Sequence, residues 1–128
     1  MMMTLALLHL MFAPALPPAP AVPHWLSVPE KIVREAGPRE AHLALAIAFR
    51  ESRFERMAVS ETRDFGVFQI HYPGTGLALG LRDPFNEDLN IVAGVGLLRE
   101  GWRRYGSAAG AVCYFAHPSR CEGYRRRL

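Results

Sequence analysis

Leu43-Ala44-Leu45-Ala46-Ile47-Ala48-Phe49-Arg50-Glu51-Ser52 is followed, fifteen residues after Glu51, by Gly66-Val67-Phe68-Gln69-Ile70. By period alone the first stretch is ambiguous. Leu43, Leu45, Ile47 and Phe49 alternate with alanine, as a strand would. Ala and Leu are strong helix formers, however, and Pro38-Arg39-Glu40 supplies a start signal with proline in the first turn. The stretch is therefore predicted as a helix ending at Glu51-Ser52, with small alanines that let neighbouring helices approach. A carboxyl group at the polar end of an apolar run, next to Phe49, is partly desolvated. Desolvation disfavours its charged form, as a general acid requires. A lone glutamate at a helix end is usually just solvated, so the surrounding motifs have to decide its role.

Upstream, Ser27-Val28-Pro29-Glu30 fits a capping box, with Ser27 accepting from the Glu30 amide and Glu30 reaching back. A short helix should follow to Ala36 and stop at Gly37. Downstream, residues 54–65 read as a loop or short hairpin, and Gly66 to Ile70 as a brief strand or tight bend. Tyr72-Pro73-Gly74-Thr75-Gly76 reads as a turn or loop. Asp83-Pro84 opens another helix, directly or after a short irregular stretch. Leu89, Val92, Ala93, Gly96, Leu97 and Trp102 give that helix an apolar face to about Tyr105. Gly94, Gly96 and Gly101 weaken it by up to ~1 kcal/mol each unless close packing compensates. Ser107 caps a last helix through Tyr114. There is no internal repeat. The chain as a whole reads as mainly α, α+β at most.

The 128 residues suffice for one domain with a modest core, and half of them are apolar. The formal charge is +3, with fourteen arginines and a single lysine. Seven arginines fall between Leu97 and Leu128, against Glu100 and Glu122. Such a stretch is either a face for an anionic partner or a solubilising surface with a frayed tail. Residues 1–21 contain no Asp, Glu, Lys or Arg. An apolar run from Thr4 to Phe12 precedes small-residue sites at Ala13-Pro14-Ala15 and Ala19-Pro20-Ala21, the pattern of a secretory signal without a basic start. Five prolines between 14 and 23 mark an extended stretch, and residues 22–27 are read as a linker to a domain over 28–128. Export, to a periplasm or the extracellular space, is expected. In that setting Cys113 and Cys121 invite a disulfide around a short loop. His117 is the only nitrogen ligand nearby, so no metal site is expected there, and no cofactor elsewhere.

Together the motifs resemble the lysozyme-like lytic transglycosylases with a soluble lytic transglycosylase catalytic domain. That family has a helix ending in Glu-Ser, then Gly-Leu-Met-Gln and an aliphatic, then Asn-Ile on a later helix, then Ala-x-x-x-Tyr-Asn. The counterparts here are Glu51-Ser52, Gly66-Val67-Phe68-Gln69-Ile70, Asn90-Ile91, and Ala109-Gly110-Ala111-Val112-Cys113-Tyr114. The resemblance covers residues 28–118. It implies a lysozyme-like fold with a substrate cleft between the helix ending at Glu51 and residues 64–70. It also implies cleavage of the β-1,4 bond between N-acetylmuramic acid and N-acetylglucosamine, giving a 1,6-anhydro product. Glu51 would be the single general acid/base. Ser52 would position it or the substrate, Gln69 would bind a sugar, Tyr114 would donate a hydrogen bond near Glu51, and Phe68 would shape the cleft floor. Asn90-Ile91 would close the helix packing around the cleft. The implied partner is a peptidoglycan glycan strand met by a monomer, within or without a secretion-system or phage assembly, and not nucleic acid.

The chain departs from the family at three places. Phe115 follows Tyr114 where the family has Asn, Phe68 replaces Met, and Arg63-Asp64 stands where many members have Gly-Ala. Phe115 is left to stack on a sugar or to fill core. The segment Thr62 to Ile70 is also similar to the Asp-Tyr-Gly segment of animal-type lysozymes. In that reading Asp64 is a second carboxylate and the chain is a glycoside hydrolase; otherwise Asp64 is a turn residue bonding its own backbone. A non-catalytic peptidoglycan-binding accessory protein with the same fold is the remaining alternative.

Overall fold

The computed structural model describes residues 26–125. The signal-like segment 1–21, most of the 22–27 linker and residues 126–128 lie outside them. Helix α1 (Val28–Ser52) is broken at Gly37, which has φ 77° and ψ 175°. The run from Leu43 to Phe49 is helical, as its composition predicts over its period, and it buries Ala44, Ile47 and Ala48. The Ser27 hydroxyl accepts from the Glu30 amide at 3.4 Å and donates to the Glu30 carboxylate at 2.7 Å. The expected box thus closes through the hydroxyl rather than through the Ser27 amide.

Helix α3 (Glu87–Tyr105) caps the segment of α1 that ends at the break. The last carbonyls of a helix lack partners and carry the negative end of its dipole. Arg99 satisfies both conditions. Its Nη2 donates to the carbonyls of Glu35 at 2.5 Å and Ala36 at 3.0 Å, and Nη1 stands 3.7 Å from the Glu35 carboxylate.

Strands β1 (Asp64–Phe65) and β2 (Ile70–His71) form a two-residue antiparallel hairpin, with Asp64 opposite His71 and Phe65 opposite Ile70. Val59 adds a single bridge to Phe65. A short helix, α2 (Gly74–Ala78), occupies the segment expected as a turn. Asp83-Pro84 leads into the next helix through a short irregular stretch, in which Asp83 accepts from the Phe85 amide at 3.0 Å and makes a turn of its own. Helix α3 (Glu87–Tyr105) starts at Asn86, whose side chain accepts from the Leu89 amide. Helix α4 (Ala108–Ala116) is capped by Ser107 and runs two residues past Tyr114. Single 3₁₀ turns follow at Pro118–Arg120 and Glu122–Tyr124.

Helix α3 is the axis of the domain. Asn90, Ile91, Ala93, Gly94, Val95, Leu97, Leu98 and Gly101 are all buried. One side meets α1 at Ile32, Ala36, Ala44, Ile47 and Ala48, and another meets Ala111 of α4. Two of its glycines mark the closest approaches. A Cβ on Gly94 would collide with the Phe68 ring, and one on Gly101 would stand 2.8 Å from the Tyr114 Cβ and 2.9 Å from the Ala111 Cα. Close packing therefore compensates at Gly94 and Gly101. Gly96 meets nothing and keeps its cost.

Lys31, buried on α1, reaches Glu87 at 2.7 Å and Asp88 at 2.9 Å in the first turn of α3. Acidic residues also suit that helix end. Burial pulls the Lys31 ammonium down, but its hydrogen bonds to Glu87 and Asp88 outweigh that and hold it above its usual 10.5. Part of the arginine-rich C-terminal stretch is paired within itself. Arg103 and Arg104 both bind Glu100, and Arg125 binds Glu122. Hydrogen bonds from Arg103 and then Arg104 push the Glu100 carboxyl down to about 2. Among the described residues no helix is long and apolar enough to cross a membrane.

Two outcomes follow from this packing. Gly94→Ala should cost about 1–3 kcal/mol by overpacking, whereas Gly96→Ala should stabilise by about 0.5–1 kcal/mol; denaturant unfolding of the two variants measures the contrast. A raised lysine contributes stability that is complete below its unfolded value near 10.5 and is lost as pH rises through the folded value. Wild type should therefore lose stability above about pH 10.5 more steeply than Lys31→Met, compared by thermal melts across that range.

Candidate active site

The C-terminus of α1 and the β1–β2 hairpin are tied together directly. The Ser52 hydroxyl donates to the Val67 carbonyl at 2.7 Å and lies 3.2 Å from the Ala48 carbonyl of its own helix. The chain then leaves α1 through two left-handed residues, Arg53 at φ 52° and Phe54 at φ 65°.

Asn90 of α3 holds the hairpin turn from beneath. Its Oδ1 accepts from the Phe68 amide and its Nδ2 donates to the Phe65 carbonyl, both at 2.8 Å, with the side chain fully buried. Gly66 lies against that carboxamide. It has φ 75°, and a Cβ there would stand 2.6 Å from Asn90 Nδ2. Only glycine suits both conditions. Gln69 is also left-handed, at φ 50°, which is uncommon for a residue with a side chain. Its own amide supports the turn by donating to the carbonyls of Ala58 at 3.1 Å and Gly66 at 3.0 Å.

These ties shape a concavity of ≈ 260 Å³. Ile70 and Leu97 form apolar lining. Glu51, Asp64, Gln69, His71 and Thr75 supply polar groups, and Phe115, Ala116 and Pro118 close the remaining side. That last wall belongs to the loop closed by the Cys113–Cys121 disulfide, whose Cα atoms are 5.8 Å apart. The expected pairing is thus formed, and so short a loop contributes on the order of 2–3 kcal/mol. A larger concavity of ≈ 590 Å³ lies around Lys31, Phe54, Asn86 and Glu87. None of the motif residues lines it, so volume alone does not pick out the site.

The residues expected at the site separate into three groups. Glu51, Asp64 and Gln69 share the concavity. The Glu51 side chain is 28% exposed, with Arg50 Nη2 at 3.2 Å. Phe49 does not supply the expected desolvating cover: it is half exposed, its ring 5.7 Å from Phe54 and under the Arg53 guanidinium. Asp64 is anchored by its turn. Its Oδ2 accepts from the hydroxyls of Ser60 at 2.9 Å and Thr62 at 2.6 Å, while Oδ1 lies 3.4 Å from His71 Nδ1.

Ser52 is not among the residues that line the concavity and gives its proton to the Val67 carbonyl. Phe68 and Tyr114 are not among the residues that line the concavity either. Phe68 is completely buried, packed against Gly94 and 6.0 Å from the Phe115 ring, and it cannot touch a ligand. Tyr114 faces α3, near Gly101 and Tyr105 and beneath the Arg104 guanidinium at 4.8 Å, and it does not line the concavity. One residue along a helix turns the side chain by about 100°, which is why its neighbour Phe115 lines the concavity instead. His71, Thr75 and Pro118 were not singled out by the motifs. The hairpin register that pairs His71 with Asp64 was the signal that a longer strand pattern would have exposed. Among the described residues no group of three or more His, Cys, Asp or Glu could hold a metal ion.

The arrangement offers one partly exposed carboxyl group on a rigid helix end, facing polar groups held by a tight hairpin. It suits proton donation and acceptance at a bound polar substrate. A family model described as the transglycosylase SLT domain matches residues 33–121, well over half the chain. Searches among curated proteins and among solved structures returned no match.

Asn90→Leu keeps the volume and strands the Phe65 carbonyl and the Phe68 amide without partners. It should cost about 2–6 kcal/mol, each of the two orphaned buried groups contributing about 1–3, with urea unfolding as the measurement.

Proposed function

The chain belongs to the transglycosylase SLT domain family, a lysozyme-like group acting on peptidoglycan. From that premise we propose that it cleaves the β-1,4 bond between N-acetylmuramic acid and N-acetylglucosamine and leaves a 1,6-anhydro product. The observation that carries the reading is the position of Glu51, at the rigid end of α1, in a concavity shared with Gln69 and Asp64. Glu51 protonates the glycosidic oxygen. As carboxylate it then accepts the proton of the muramyl C6 hydroxyl, whose oxygen bonds to C1. Gln69 has spent its amide hydrogens on Ala58 and Gly66, so its Oε1 is the atom left for a sugar hydroxyl.

Ser52 fixes the hairpin against the helix that carries Glu51. Phe115, half-buried in the wall, offers a face on which a sugar ring can stack. The protein works outside the cytoplasm, after export by its signal-like segment. The paired cysteines fit an oxidising compartment, and the substrate is a glycan strand met by a monomer.

Asp64 in the same concavity favours one second reading, a two-carboxylate hydrolase. Its Oδ2 is committed to Ser60 and Thr62, which weighs against a nucleophile or a base that must approach the sugar.

Wild-type protein should clear purified peptidoglycan, and Glu51→Gln should lower the rate by at least roughly 10²-fold. Mass spectrometry of the products should find anhydro ends, lighter by one water than hydrolysed ones. Asp64→Asn should lower the rate far less than Glu51→Gln and leave the anhydro product unchanged. Reducing muramyl ends from wild type, with Asp64→Asn inactive but folded, would install the hydrolase reading instead.

A further inference from the structure

We propose that His71 is a substrate-contacting residue, oriented by Asp64 so that its Nε2 accepts a hydrogen bond from a hydroxyl of the glycan strand. The proposal rests on the glycan-cleaving reading above and adds a residue that the motifs do not include. His71 sits on β2 directly opposite Asp64, its Nδ1 3.4 Å from Asp64 Oδ1, and both line the concavity that holds Glu51. Its side chain is half exposed, so packing alone does not explain it.

Asp64 is prepared for this role from behind. Two hydroxyls and the turn geometry occupy its Oδ2 and its amide, leaving Oδ1 for the imidazole. A carboxylate oxygen beside Nδ1 favours the tautomer with hydrogen on Nδ1, and Nε2 is then an acceptor. Gly74, at the start of α2, keeps the ring edge clear: a Cβ there would crowd His71 Cδ2 at 3.1 Å and lie 3.8 Å from Nε2. A glycan strand presents hydroxyls at every sugar, which matches an acceptor in a concavity whose Gln69 side chain also has only an oxygen left to offer.

Two measurements test it. In the first, a tetramer of N-acetylglucosamine is titrated into Glu51→Gln and into Glu51→Gln/His71→Ala. Loss of one neutral hydrogen bond should weaken binding about 3–10-fold. Equal affinities in two folded variants, or no binding to Glu51→Gln, would overturn the proposal. In the second, the imidazole ¹⁵N shifts of His71 in otherwise unaltered protein should report hydrogen on Nδ1, moving toward Nε2–H in Asp64→Asn. Hydrogen on Nε2 in wild type would also overturn it, and this readout decides the matter if His71→Ala fails to fold. Neither measurement depends on turnover, so an active Glu51→Gln would sink the catalytic reading while leaving the His71 result to be read independently.

Discussion

Two hydrogen bonds from one buried carboxamide hold the site together. Asn90 lies in the first turns of α3 and is out of water, so both its polar atoms need partners. It finds them on the backbone of the hairpin turn, at the Phe65 carbonyl and the Phe68 amide. Those backbone groups would be orphaned in turn without it. The mutual need fixes the hairpin on top of α3 and leaves Gly66 no room for a side chain. Ser52 then ties the same turn to the end of α1. Glu51 from the end of α1, and Asp64 and Gln69 from the hairpin, thus reach one concavity.

The clamp works only because α3 can sit close to its neighbours. Gly94 admits the Phe68 ring directly beneath the turn, and Gly101 admits α4. Arg99 of α3 and Lys31 of α1 add polar ties between α3 and the part of α1 that precedes the break, Arg99 at Glu35 and Ala36 and Lys31 at Glu87 and Asp88. The disulfide closes the loop that forms the far wall. A central helix with this many obligations has little freedom to move, and rigid support is what a proton-transferring carboxyl group needs to keep its geometry.

Much of this was legible in the residues. Helix over strand for Leu43 to Phe49, the stop at Gly37, the Ser107 cap and the cysteine pairing all follow from local chemistry. Membership of the transglycosylase family followed from four short motifs in order. Tertiary geometry hid the rest. Tyr114 and Phe115 are adjacent in the motif, yet the crossing of α3 and α4 decides which of them reaches the site. Phe68 looks like a cleft residue until Gly94 is seen to leave a hole for its ring. The two-residue strands of the hairpin carry no period, so the facing of His71 and Asp64 could not be read in advance. The turn expected at Tyr72 to Gly76 became α2 against the low helix propensity of Gly74 and Gly76, with Gly76 buried so closely that a Cβ there would stand 2.9 Å from the His71 carbonyl.

The amide of Phe68 reports most directly on whether Asn90 clamps the turn. Native-state hydrogen exchange should show it opening only with global unfolding, with the same exchange free energy as the amide of Leu98 in the middle of α3. Exchange through a local opening of much lower free energy, insensitive to added denaturant while Leu98 remains protected, would mean that the turn stands without the clamp and would contradict this view of the site.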